Sequence, residues 1–121
     1  MRILVVDDYA PFATSLRILL ADHDVVTAGG GLAALELLRA DGGFDAVLCD
    51  LRLRDLPGTE LYSLLAIERP AILDRVVFMT GGACDADTAD FLDRAGRPCL
   101  QKPFSMEEVA AALRECAGGE R

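Results

Sequence analysis

The chain has 121 residues, the size of one domain, and 52% of them are apolar, which excludes a disordered segment. Twelve basic residues against twenty acidic ones leave a net charge of −8. That balance repels nucleic-acid phosphates and argues against DNA binding by this chain alone.

The first predicted element is the unbroken run Ile3-Leu4-Val5-Val6, which reads as a strand covered on both faces. No apolar run exceeds four or five residues, so none would span a membrane. The amino terminus has no signal-peptide pattern, and the expectation is a cytoplasmic protein. Pro11 suits a first helical position, and Phe12, Leu16, Leu19 and Leu20 follow at helical spacing. Val25-Val26-Thr27 is the second strand. Gly29-Gly30-Gly31 precedes a second helix marked by Leu32, Leu35 and Leu38 and closed at Gly42-Gly43.

Ala46-Val47-Leu48-Cys49 is the third strand, and Leu61, Leu64 and Leu65 mark a third helix stopped at Pro70. Val76-Val77-Phe78-Met79 is the fourth strand. Residues Asp85 to Arg94 form a weaker helix with four Asp, and Cys99-Leu100 a short fifth strand. Ser105 and Glu108 have capping-box spacing ahead of a helix facing inward through Met106, Val109, Ala110 and Leu113. Five strands alternating with five helices predict a doubly wound α/β domain, a parallel sheet with helices on both faces. The domain is expected over residues 1–117, with 118–121 a flexible tail or the start of a linker.

The four cysteines, Cys49, Cys84, Cys99 and Cys116, form no CxxC, and His23 has no partner at metal spacing. They read as small buried apolar side chains in a reducing compartment.

Ligands of such a sheet bind beyond the carboxyl ends of the strands. Asp7 and Asp8 end the first strand, Asp50 the third and Thr80 the fourth, while Lys102 follows the fifth. Each has a plain reading alone, as a turn former, a strand end or a solvated lysine. Together they place three carboxylates, a hydroxyl and an ammonium on one rim. Clustered carboxylates are costly without a cation, and Mg²⁺ with its oxygen ligands and waters suits them. The lysine and hydroxyl suit the oxygens of a phosphoryl group. The set argues for phosphoryl transfer to a carboxylate.

The stretches Val5-Val6-Asp7-Asp8, Val47-Leu48-Cys49-Asp50-Leu51, Leu56-Pro57-Gly58, Phe78-Met79-Thr80-Gly81 and Lys102-Pro103-Phe104 resemble the receiver domains of two-component response regulators. The resemblance runs through essentially the whole chain in order and spacing. Between Met79 and Phe104 it is nearer to receivers of hybrid sensor histidine kinases than to the chemotaxis regulator. It implies a flavodoxin-like sheet of strand order 2-1-3-4-5. It makes Asp50 the phosphoacceptor, Asp8 a direct Mg²⁺ ligand, Asp7 its neighbour acting through water, and Arg52 a ligand through its backbone carbonyl. Thr80 becomes the switch hydroxyl and Lys102 the lysine that bridges to the phosphoryl group, with a cis Lys102-Pro103 bond. The implied partner is a histidine kinase or histidine phosphotransfer domain. The implied output surface, through which a homodimer could also form, is the fourth helix, fifth strand and fifth helix.

Three positions depart from the family pattern. Cys99 stands where many members carry a rotating Phe or Tyr, and Arg54 where many carry Pro. Gly82 has no side chain to position or block an attacking water, which leaves phospho-lifetime to be set mainly by Arg52. The leading expectation is a Mg²⁺-dependent signalling phosphoacceptor that also dephosphorylates itself. The alternatives are a receiver that binds without switching, suggested by Cys99, and an aspartate-nucleophile phosphatase of the haloacid dehalogenase kind. The latter places a DxDxT motif on its first strand, and here the pair is the adjacent Asp7-Asp8-Tyr9.

Overall fold

The computed structural model describes residues 1–118, the last two as backbone alone. The elements are β1 (Arg2–Val6), α1 (Ala10–Leu19), β2 (Asp24–Ala28), α2 (Gly31–Ala40), β3 (Ala46–Asp50), α3 (Gly58–Glu68), a 3₁₀ helix (Pro70–Arg75), β4 (Val76–Thr80), α4 (Ala86–Ala95), β5 (Cys99–Gln101) and α5 (Met106–Gly118). The strands form one sheet in the order β2-β1-β3-β4-β5, every pair parallel. This is the predicted doubly wound, flavodoxin-like sheet. Of the expected tail, 119–121 lie outside the described residues, and Gly118 ends α5.

Strand alternation divides the core in two. Leu4, Val6, Val47, Cys49 and Phe78 face α2 and α3, where they meet Ala34, Leu35, Leu38, Leu61 and Leu65. Ile3, Val5, Leu48, Val77 and Met79 face α1 and α5, where they meet Ala13, Leu16, Val109, Ala112 and Leu113. Carried past the strand ends, this alternation sends Asp7, Asp50 and Lys102 toward the α1/α5 side. It sends Thr80 toward α4.

Local chemistry sets the helix ends. Ser105 and Glu108 close the predicted capping box, each backbone N–H donating to the other's side chain at 3.0 and 3.1 Å. Asp85 caps α4 by accepting from Thr88 N at 2.8 Å, and Gly96 ends it in the left-handed region at φ 64°. At the opposite edge of the sheet, the Arg69 guanidinium donates to the carbonyls of Leu38 and Arg39 that end α2.

Several expectations need correction. Cys49 and Cys116 are buried, but Cys84 and Cys99 are exposed. Cys84 lies in the β4–α4 loop, and Cys99 begins a three-residue strand at the sheet edge. Leu19, Leu32 and Met106 also face solvent. Each stands at the margin of an apolar stripe centred on other residues: Ala13, Leu16 and Leu20; Ala34, Leu35 and Leu38; Val109, Ala112 and Leu113. The chain after Pro70 coils into a 3₁₀ helix that buries Ile72, where no element was predicted.

Candidate functional site

The site begins with two aspartates driven under the surface by the strands that carry them. Asp7 follows β1 and is 1% exposed; Asp50 closes β3 and is 7% exposed. Each uses one carboxylate oxygen locally. Asp7 Oδ1 accepts from Tyr9 N at 2.9 Å, and Asp50 Oδ1 from Arg52 N at 2.8 Å. Each gives the other oxygen to the same cation: Lys102 Nζ donates to Asp7 Oδ2 at 2.8 Å and to Asp50 Oδ2 at 2.7 Å.

The backbone places that lysine. Lys102 N donates to Thr80 O at 2.8 Å, extending the β4–β5 ladder by one rung, and the Lys102-Pro103 bond is cis as expected. Its ammonium also sits 4.0 Å from the centroid of the Phe12 ring, which Phe104 supports edge-on. Burial works to lower the Lys102 pKa. The hydrogen bonds to Asp50 and Asp7, with their charges, outweigh it and leave the value raised.

Thr80 is buried and donates its hydroxyl to Gly82 O at 3.2 Å. Asp8 is partly exposed and turned outward: it accepts from Arg54 N at 3.1 Å, and Arg54 Nε lies 3.6 Å from the same oxygen. Arg52 reaches across the rim, its guanidinium donating to Ala83 O at 2.8 Å. Thus Asp7, Asp50 and Lys102 are in direct contact, and Thr80, Asp8 and Arg52 border them through loop contacts.

Three neighbours escaped the sequence reading. Phe12 had signalled itself only as a helix-spacing residue. Asp55 accepts from Gly31 N at 2.9 Å and Leu32 N at 3.3 Å, capping α2 from a loop 24 residues away. Gly58 lies so close to the acceptor strand that a Cβ there would stand 2.6 Å from Asp50 O. The Leu56-Pro57-Gly58 motif was the available signal for that contact.

Among the described residues, no three His, Cys, Asp or Glu side chains already converge on a point that could hold a metal ion. The donors nevertheless fit Mg²⁺, which takes one or two carboxylates and keeps several waters. The two buried carboxylates Asp7 and Asp50 share the one ammonium of Lys102, and Asp8 beside them has only the exposed Arg54, so a cation would be welcome there. Asp8 also opens onto a cavity of about 330 Å³ shared with Gly29, Arg54 and Asp55.

Residues 3–114 match the response regulator receiver domain family. The chain belongs to that family. Receiver domains are parts of signalling proteins, and the relatives bear this out. The chain is 32% identical to the transcriptional regulatory protein ZraR of Klebsiella oxytoca over 121 residues, covering 98% of this chain and 27% of ZraR. It is 32% identical to the probable transcriptional regulatory protein TcrX of Mycobacterium tuberculosis over 116 residues, covering 94% of this chain and 48% of TcrX. It therefore spans between about a quarter and a half of these relatives. A receiver domain protein from Clostridium thermocellum shares the fold, with a TM-score of 0.87 at 23% identity over 98% of this chain and 95% of that one. A CheY-like receiver domain protein from Methanospirillum hungatei has a TM-score of 0.82 at 26% identity, over 98% of this chain and 97% of that one. No helix among the described residues is long and apolar enough to cross a membrane.

Proposed function

We propose that this receiver domain accepts a phosphoryl group on Asp50 from a phosphohistidine of a histidine kinase or histidine phosphotransfer domain. One observation carries the reading: a buried carboxylate at the end of β3 is held by a lysine that also engages a second buried carboxylate. A carboxylate so held is oriented for in-line attack. The phosphorus–nitrogen bond of the donor breaks as the Asp50 oxygen–phosphorus bond forms, and the donor imidazole leaves. Lys102 neutralises charge on the phosphoryl oxygens, and the Thr80 hydroxyl exchanges Gly82 O for one of them. Asp8, Asp50 and the Arg52 carbonyl would hold Mg²⁺, with Asp7 contributing through water. The ion when bound supplies charge neutralisation for the transferring group. Water later hydrolyses the acyl phosphate, which resets the domain.

The output surface in this reading is α4, β5 and α5, through which a homodimer could form. Among the described residues α4 contributes none that is buried, so it has little packing to lose when the site changes. The acidic net charge speaks against direct nucleic-acid contact by this chain, and the reading sets it in the cytoplasm.

Incubation with Mg²⁺ and acetyl phosphate or a phosphorylated kinase tests the reading. Wild type should take up one phosphoryl group and Asp50→Asn none. A wild type that takes up none from any donor sinks it. A second reading, a domain that binds without switching, draws on the exposed Cys99 in place of a ring. An amide-exchange pattern of α4 unchanged by beryllofluoride would favour it.

A further inference from the structure

The β4–α4 loop, residues 81–85, is anchored to the site by specific contacts. Two side-chain bonds tie it to the rim: Thr80 Oγ1 donates to Gly82 O at 3.2 Å, and the Arg52 guanidinium donates to Ala83 O at 2.8 Å. Arg52 also lies along Gly82, where a Cβ would stand 3.6 Å from its terminal nitrogen. Its own backbone N–H holds the acceptor, donating to Asp50 Oδ1 at 2.8 Å. One residue thus touches the phosphoacceptor at its main chain and the loop leading to α4 at its side chain. The position where many receivers carry a coupling ring is the exposed thiol Cys99, which has no ring to swing.

We propose that Arg52 is the positioning residue that couples Asp50 to the β4–α4 loop, its guanidinium passing from the Ala83 carbonyl to the phosphoryl group when Asp50 is modified. This rests on Asp50 being the acceptor. The direction follows from charge. Ala83 O is a neutral acceptor, whereas a phosphoryl dianion pairs opposite charges with the guanidinium and can take two of its N–H groups at once. Arg52 begins two residues from Asp50, so the transfer needs side-chain rotation and no movement of β3. It strips the loop of its Ala83 bond as Thr80 leaves Gly82 O. Residues 81–85 are then released together, and α4, which they lead into, is free to shift.

The test uses the whole chain and follows the amide resonances of Gly82, Ala83, Cys84 and Asp85 with and without Mg²⁺ and beryllofluoride. Wild type should show a shift of these resonances on loading. Arg52→Ala, before loading, should already sit at least half-way to the loaded wild-type positions, and its further shift should shrink by half or more. Arg52→Lys, with a single donor group, should fall between the two. Arg52→Ala resonances that coincide with unloaded wild type and move as far on loading overturn the proposal. A wild type that does not respond to beryllofluoride at all also overturns it, and locates the fault in the acceptor assignment, since it arises before any Arg52 variant is compared.

Discussion

Lys102 donates to Asp50 at 2.7 Å across 52 residues of sequence, and the same ammonium holds Asp7 at 2.8 Å. Removing it leaves two buried carboxylates without their cation. Lys102→Met should therefore lose roughly 3 kcal/mol of stability, read as a lower urea midpoint at neutral pH. The pKa of Lys102 is raised in the folded chain, so its contribution is complete below the unfolded lysine value of about 10.4 and declines as pH rises through the higher folded value. The gap between wild type and Lys102→Met should accordingly narrow above about pH 10.4. A gap that is constant from pH 8 into that range would contradict the assignment.

Asp50→Asn keeps the shape of the acceptor, and its single amide oxygen can still accept from one of the two donors, Arg52 N and Lys102 Nζ. Its fold should survive, with an unfolding midpoint within about 1 kcal/mol of wild type. Phosphoryl uptake should vanish. Intact-mass measurement after acetyl phosphate treatment reads both species side by side, and a phosphoryl adduct on the variant would show that the acceptor lies elsewhere.

Gly58 is fixed by its neighbour. A Cβ there would meet Asp50 O at 2.6 Å and Leu51 Cα at 3.0 Å, both main-chain atoms with little room to yield. Gly58→Ala should cost about 1–3 kcal/mol and push the end of β3 out of line. The phosphoryl uptake rate should fall with it, whereas Gly42→Ala, with nothing within 4 Å, should leave uptake unchanged.

Asp55 holds three backbone N–H groups, those of Gly31, Leu32 and Leu56. The bond from Gly31 chiefly keeps its carboxyl below the usual value; burial opposes it, and the bonds from Leu32 and Leu56 add to the lowering. A depressed folded pKa makes the contribution present above the unfolded value of about 3.9 and lost as pH falls through the folded one. Asp55→Ala should lower the melting temperature at pH 7, and the difference from wild type should shrink on acidification below about pH 3.9. Thermal scans across pH 2.5–7 (a range set to bracket about 3.9) would check the sign.

The fourth helix has no buried residue and rests on the partly buried Phe91 and Leu92. Its amides should exchange faster than those of α2, which buries Ala34, Leu35 and Leu38. Exchange followed by mass spectrometry would refute this if α4 proved the slower of the two.

Much of the molecule was legible in its residues because strands read directly. Short apolar runs between helical stretches gave all five strands and put Asp7, Asp50 and Thr80 at the carboxyl ends of three of them. The capping box at Ser105 and Glu108 was equally plain, since its partners are three residues apart. The helix faces were less so. Leu19, Leu32 and Met106 fit the helical period, but burial depends on where the stripe is centred, and that follows from packing against the sheet. Cys84 and Cys99 look like core residues by type and lie outside it by position.

Alone, the order of residues determined a parallel α/β sheet and the chemistry at its rim, because periodicity and side-chain type are local properties. The tertiary structure decided which groups meet: Lys102 with Asp7 and Asp50, Asp55 with the start of α2, and Arg52 with Ala83. Those contacts span 24 to 95 residues of chain. Their partners are chosen by the register of neighbouring strands and the path of the loops between them, neither of which is written in any single stretch of sequence.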